Sequence, residues 1–508
     1  MGEARSDPAL PAARGPAAPG RRERENRPVP RAPALQASGS DSPTRPAPGS
    51  PGPGAPAWKR TLALLALVLS AWLWIAGLAD SLSRPSVVDS LSLRQLELAT
   101  LAAEALPAEL RTALAGENPR AELATELARQ IQAAPLPAPA AQRLELILLR
   151  RGDGADTAAQ EQALGTMLEQ VDPERRPLLA ALLEGRRLPP DEQARLLEAW
   201  RPSTMLRQLA CEQLGGPEAA CPAGRDATRL LLLLLGVSVV PVLLVLLGLV
   251  LLLRRLWRQL RGGAPAPPPL QGPPLSAVDV TLLIAGGFVV LGEVVMPELL
   301  QALLSVALTS LAVPPALAQG LQVLLLYLGL MAAPLLILAA MLPPGPRPEG
   351  GWLRWQPRPV ATALGQALAT MLMVLPLVAL SSWLVERIWG DPGGSNPLLD
   401  LVLTSPDPRA LFCFGFTAIV LAPLFEEVLF RGVLLPVAAR HLGGTAAVLV
   451  SAAVFAAAHL SLGELVPLFV LALGLGWLRW SSGRLLPCVL MHALWNGLTF
   501  LNLMLLAQ

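Results

Sequence analysis

Residues 229–261 read RLLLLLLGVSVVPVLLVLLGLVLLLRRLWRQLR. Between Leu230 and Leu253 no side chain is charged, and the run exceeds the ~20 residues a helix needs to cross a hydrocarbon layer about 30 Å thick. A soluble helix would keep a polar side through such a stretch, and this one has none. It reads as a membrane span. Its far end carries Arg254, Arg255, Arg258 and Arg261, which the positive-inside rule assigns to the cytoplasm.

The rest of the chain extends that reading. Of 508 residues 53% are apolar and 15% charged, with mean hydropathy +0.49, so the bilayer is the solvent. A formal net charge of +2 gives no reason to expect a nucleic-acid partner. Further apolar runs fall at 59–79, 277–296, 321–342, 361–384, 410–430, 445–460, 465–480 and 486–507, which makes nine spans. Two of these are short for a full crossing. A half-helix at 299–318 can add a re-entrant segment. The fold class is therefore all-α, a polytopic transmembrane helical bundle.

Residues 1–58 are a basic Pro/Ala-rich tail without apolar periodicity, expected to be disordered and cytoplasmic. The stretch 80–229 has Leu98, Leu101, Ala102, Ala105 and Leu106 at helical spacing and reads as a soluble helical domain between spans 1 and 2. With the tail inside, that domain is extracytoplasmic, and the cytoplasmic Pro-rich linker 254–276 leads into the polytopic region 277–508. Arg347, Arg354 and Arg358, the segment from Arg431 to His441, and Arg479 to Arg484 then share the cytoplasmic side, while Asp391, Asp400 and Asp407 lie outside. The plasma (inner) membrane is the expected location. Cys211 and Cys221 flank a turn-rich stretch and can close a disulfide in an oxidising compartment; Cys413 and Cys488 read as small core residues.

Chemistry concentrates in the last third. Span 6 contains Phe425-Glu426-Glu427-Val428-Leu429-Phe430-Arg431. Each ionised side chain near a bilayer centre costs roughly 2.5–3.5 kcal/mol on insertion scales, so two adjacent acids need partners or a polar cavity. Glu427 and Arg431 stand four apart on one face, and Glu426 points about 100° away. The expected division makes Arg431 with Glu427 the scaffold and leaves Glu426 free for a cavity. Span 7 carries Phe455 and His459, and span 9 carries His492 and Asn496, each pair one turn apart. A glutamate, two imidazoles and an amide can hold a divalent metal or a water, deprotonate that water, and steady an oxyanion. Glu426, His459 and His492 are the candidate metal ligands, zinc by donor type, and Glu426, Glu427, His459, His492 and Asn496 the candidate catalytic set with Arg431 and Phe455 in support. Glu293 has no polar residue at matching spacing and reads as an isolated helix-end acid; His441 reads as interfacial. By helical rise from Arg484, His492 is roughly 10 Å deep, which favours a cavity opening on the cytoplasmic side.

These residues resemble the pattern of the CPBP intramembrane proteases, also called type II CAAX prenyl endopeptidase-like or Abi proteins: Glu-Glu-x-x-x-Arg, then Phe-x-x-x-His, then His-x-x-x-Asn on successive transmembrane helices. Glu426, Glu427 and Arg431, then Phe455 and His459, then His492 and Asn496 match it in order, within a core of about 361–507. The resemblance implies an intramembrane endopeptidase (hydrolase), a metalloprotease in type, acting on a membrane-associated protein or peptide, with Glu426 and His459 activating water and His492 and Asn496 completing the site. A non-catalytic scaffold or immunity-type protein is the alternative, but it need keep only the Glu427–Arg431 pair. A transporter would favour repeated halves, and none is visible.

Overall fold

The computed structural model describes residues 55–506 apart from stretches at 85–86, 104–105, 134–139, 168–175, 187–188, 190, 192–203, 216–226, 264–266, 391–393 and 395, and every regular element in it is a helix. The tail at 1–54 lies outside the described residues, as do Ala105, Asp391 and Cys221; Cys211 is disulfide-bonded. Cys413 and Cys488 are buried free thiols.

Among the described residues eight helices are long and apolar enough to cross a membrane: Ala57–Ser81, Thr228–Leu260, Ala277–Ser310, Pro315–Met341, Val360–Trp389, Pro408–Leu442, Leu465–Ser482 and Leu486–Leu506. The apolar helix Gly444–Ala458 is the short one. Counted in chain order with it, they are spans 1 to 9. Span 7 has 15 residues, about 22 Å by helical rise. Its length is set by its ends. Gly443 has φ +80°, which halts span 6 and turns the chain, and Leu460 at φ +49° stops the helix just past His459.

The expected half-helix at 299–318 is instead the continuation of span 3, which runs unbroken to Ser310 before Pro314 and Pro315 start span 4. Wide π-type turns run through Leu282–Val295 without breaking that helix. It begins in a capping box: Ser276 Oγ accepts from the Asp279 amide at 3.2 Å, and the Asp279 carboxylate accepts from the Ser276 amide at 2.9 Å. Lys59 also pairs with Asp279, which brings the starts of spans 1 and 3 together. Spans 2 and 5 approach so closely that a Cβ on Gly248 would overlap the Leu372 carbonyl.

The bundle has two chemically distinct ends. At one, Arg440 donates to the Pro273 and Leu275 carbonyls, Arg479 to that of Gln271, Arg484 to Gln366, and Arg255 lies over the Trp477 ring. At the other, the Gly394 amide bonds the Arg84 carbonyl, Arg84 reaches the Leu460 carbonyl at 2.6 Å, and the Leu462 amide bonds Ser81 Oγ. This opposite end bears the helical domain.

In that domain Leu98, Leu101, Ala102 and Leu106 are buried as the spacing predicts, together with Leu123, Leu127, Leu144 and Ile147. The same core includes Leu230, Leu234 and Val237 at the start of span 2 and Leu506 at the end of span 9. The domain and the bundle therefore share one apolar interior. One acid is caught inside: Glu97 is 6% exposed and bonded to Arg94 at 3.1 Å. Burial raises its carboxyl above the usual range, against the opposing pull of Arg94.

Candidate active site

Span 6 does not run as a uniform α-helix past its acids. Wide turns at Thr417–Leu421 and Val428–Leu434 flank the α-helical Ala422–Glu427, a departure common at functional positions. Glu427 and Arg431 are both fully buried, and Arg431 Nη1 donates to Glu427 Oε1 at 2.8 Å. Arg431 also donates to the Ala472 carbonyl at 3.3 Å and lies 4.4 Å from the Phe455 ring centre. A buried charge pair is tolerable only with such further partners.

The expected division of roles needs one correction. His492, on span 9, places Nδ1 2.9 Å from the same Glu427 Oε1. A carboxylate can only accept, so Nδ1 carries a proton, and in the neutral ring Nε2 then keeps its lone pair. Glu427 thus orients an imidazole as well as neutralising an arginine. His492 Nε2 faces Glu426 Oε2 at 3.9 Å, and that oxygen is buried without a hydrogen-bond partner. The other Glu426 oxygen accepts from the Tyr327 hydroxyl at 3.1 Å.

His459 terminates span 7 and directs Nδ1 to the Phe455 carbonyl at 2.9 Å, which leaves Nε2 free of its own helix. Phe455 is the wedge of the site: its ring centre is 4.7 Å from that of His459 and 5.6 Å from that of His492. Asn496 Nδ2 donates to the Ala418 carbonyl at 2.8 Å, within the first wide turn of span 6. That bond uses one amide hydrogen and leaves the second.

Glu426, His459, His492 and Asn496 all line one cavity of about 530 Å³. The three candidate metal ligands do not converge as a set: among the described residues no group of three His, Cys, Asp or Glu side chains is placed to hold a metal ion. Two donors, Glu426 Oε2 and His492 Nε2, face each other, and a protein-bound zinc takes three or four protein ligands.

Three cavity residues were not legible from spacing. Tyr327, the single tyrosine in the chain, holds Glu426; its rarity in an apolar run was the available signal. Glu293 is a cavity residue and not an isolated acid, with Trp74 of span 1 donating to it at 3.1 Å. Glu464, in the turn before span 8, also lines the cavity; burial raises its carboxyl, with His459 the largest opposing influence.

The direction of opening differs from expectation as well. Phe288 and Phe430 close the cavity toward the arginine-rich end, with buried Arg431 and Arg479 beyond them and Arg479 Nε donating to the Arg431 carbonyl at 3.2 Å. Its outer lining comes from the opposite end: Leu398, Leu399 and Val402 of the short helix Pro397–Thr404, Glu464, and the exposed Ser382 and Thr499. Counting depth from Arg484 measured His492 from the end of span 9 that is sealed.

Two family models match the chain. Residues 408–498 match the Type II CAAX prenyl endopeptidase Rce1-like model, a stretch that holds every motif residue from Glu426 to Asn496 and is narrower than the 361–507 core. Residues 88–232 match a Domain of unknown function (DUF8675). No curated protein and no solved structure matches the chain.

Proposed function

The chain belongs, through residues 408–498, to the type II CAAX prenyl endopeptidase-like (CPBP) family of membrane proteases, and on that premise we propose that it is an active intramembrane endopeptidase. The observation that carries the reading is the pair of facing atoms, Glu426 Oε2 and His492 Nε2, 3.9 Å apart in a cavity. Two acceptors at that separation can share one water, each within about 2.8 Å of its oxygen. The water gives one hydrogen to each and turns a lone pair toward a peptide carbonyl.

Glu426 takes the proton as the water oxygen bonds to the carbonyl carbon, and passes it to the departing amide nitrogen as the C–N bond breaks. Tyr327 fixes the second oxygen of Glu426, and Glu427 fixes the tautomer of His492. The remaining N–H of Asn496, and His459 Nε2 when that ring is protonated, supply donors to the carbonyl oxygen as it gains charge. Glu426 Oε2, buried without a protein hydrogen-bond partner and set in the cavity lining, is the oxygen available to that water.

This route is written without a metal because, among the described residues, no three His, Cys, Asp or Glu side chains converge on one point. Cleavage that persists in chelator supports this route; cleavage lost to chelation and restored by zinc would return the three-ligand arrangement of Glu426, His459 and His492. The proposal itself is tested by comparing membrane proteomes of cells carrying the wild type and Glu426→Gln. General-base loss lowers rates by about 10²–10⁴. Uncut substrates should accumulate in the variant at equal protein abundance, and identical proteomes would refute the peptidase reading.

A further inference from the structure

The two ends of the bundle are unequal for a peptide seeking Glu426. From the arginine-rich end the path is blocked by two fully buried arginines and by the linker that Arg479 and Arg440 tie down through the carbonyls of Gln271, Pro273 and Leu275. From the opposite end the cavity is bordered by exposed Ser382 on span 5 and exposed Thr499 on span 9. Deeper in, those same two spans share one core, with Ala367, Met371 and Val374 of span 5 clustered with Cys488 and Met491 of span 9. The gap between them is thus confined to the domain-bearing end. Its walls are mostly apolar, with Leu398, Leu399, Val402, Phe500 and Leu503 facing the cavity and Glu464 adding an acid, and among the described residues no lysine or arginine lines it.

We infer that the chain takes its substrate from the face that bears the helical domain, and that the substrate is the apolar end of a membrane-spanning segment, uncharged or basic where it emerges there. This rests on the peptidase reading and adds a side and a chemical class to it. The arginines mark the other face as cytoplasmic, so the cut falls on the extracytoplasmic side. A cytoplasmic C-terminal tail would meet the sealed floor.

The test separates side from activity. Thr499→Cys and Leu399→Cys are made in the full chain and in the Glu426→Gln chain, with Gly154→Cys marking the domain and Arg258→Cys the arginine-rich end. Each is exposed in intact cells, and then in inside-out vesicles, to a membrane-impermeant polyethylene-glycol maleimide that produces a mass shift on a gel. The unmodified chain is the blank, since Cys413 and Cys488 are buried and Cys211 is disulfide-bonded. The mouth cysteines should shift in intact cells, as Gly154→Cys does, with Arg258→Cys shifting only in inverted vesicles. Mouth cysteines that shift with Arg258→Cys, or that shift from neither side before detergent, overturn the inference. Cut sites mapped from product N-termini should lie on the domain-bearing side, and cuts on the arginine-rich side also overturn it. If no product depends on Glu426, the peptidase reading fails, while the labelling still reports where the cavity opens.

Discussion

Glu427 offers a single oxygen to both Arg431 and His492, so its charge serves folding and site geometry at once. Arg431→Ala strips the buried carboxylate of its counter-charge, a change that costs about 3–5 kcal/mol for buried pairs, and thermal unfolding in detergent should show that loss. Glu426→Gln breaks no ion pair with an arginine and keeps an amide oxygen for the Tyr327 hydroxyl, so it should melt close to the wild type, and the two changes separate a folding defect from a chemical one. Tyr327→Phe deletes only a hydroxyl. A hydrogen bond to a charged group contributes about 1.5–3 kcal/mol, so kcat should fall roughly 10- to 100-fold with KM nearly unchanged, whereas a merely structural tyrosine would lower folded yield and leave kcat alone.

At the scale of elements, the spans were legible because hydrocarbon thickness sets a minimum length and apolar runs meet it; the i, i+4 motif pairs were legible because helical period puts them on one face. What the sequence hid lies between elements. Trp74 and Glu293 are far apart in the chain, and no periodicity links span 1 to span 3. The side on which the cavity opens follows from where spans 5 and 9 part and from the placement of Pro397–Thr404, both products of packing. The helix Val87–Ala103 carries a consequence of its own in Glu97. Its folded-state carboxyl is raised above the unfolded value, so folding binds a proton as the pH drops through the raised value toward 4.5, and stability increases over that window. Circular-dichroism melts of the detergent-solubilised chain should rise from pH 7.5 toward pH 5, and Glu97→Gln should flatten that rise; an unchanged slope would assign the effect to other groups.

The whole molecule is joined by an interior that ignores the boundary between domain and membrane. Leu230, Leu234 and Val237 of span 2 and Leu506 of span 9 sit in the core of the helical domain, and Leu91 of that domain packs against Val402, Phe414 and Leu503 of the bundle. Removing residues 81–225 would bare these side chains, so a deletion cannot separate a recruiting role of the domain from its structural one. A point change at the junction can. Leu234→Ala, at 1% exposure, should cost about 2–5 kcal/mol as other buried Leu→Ala changes do. If domain and bundle fold as one cooperative unit, it should lower the unfolding temperature reported by protease cutting within the domain and by tryptophan fluorescence beside the cavity at Trp495 to the same degree. Separate transitions, with the domain melting first and Glu426-dependent cleavage unchanged, would instead make the domain an appendage, and its seat beside the cavity mouth would then be incidental to catalysis.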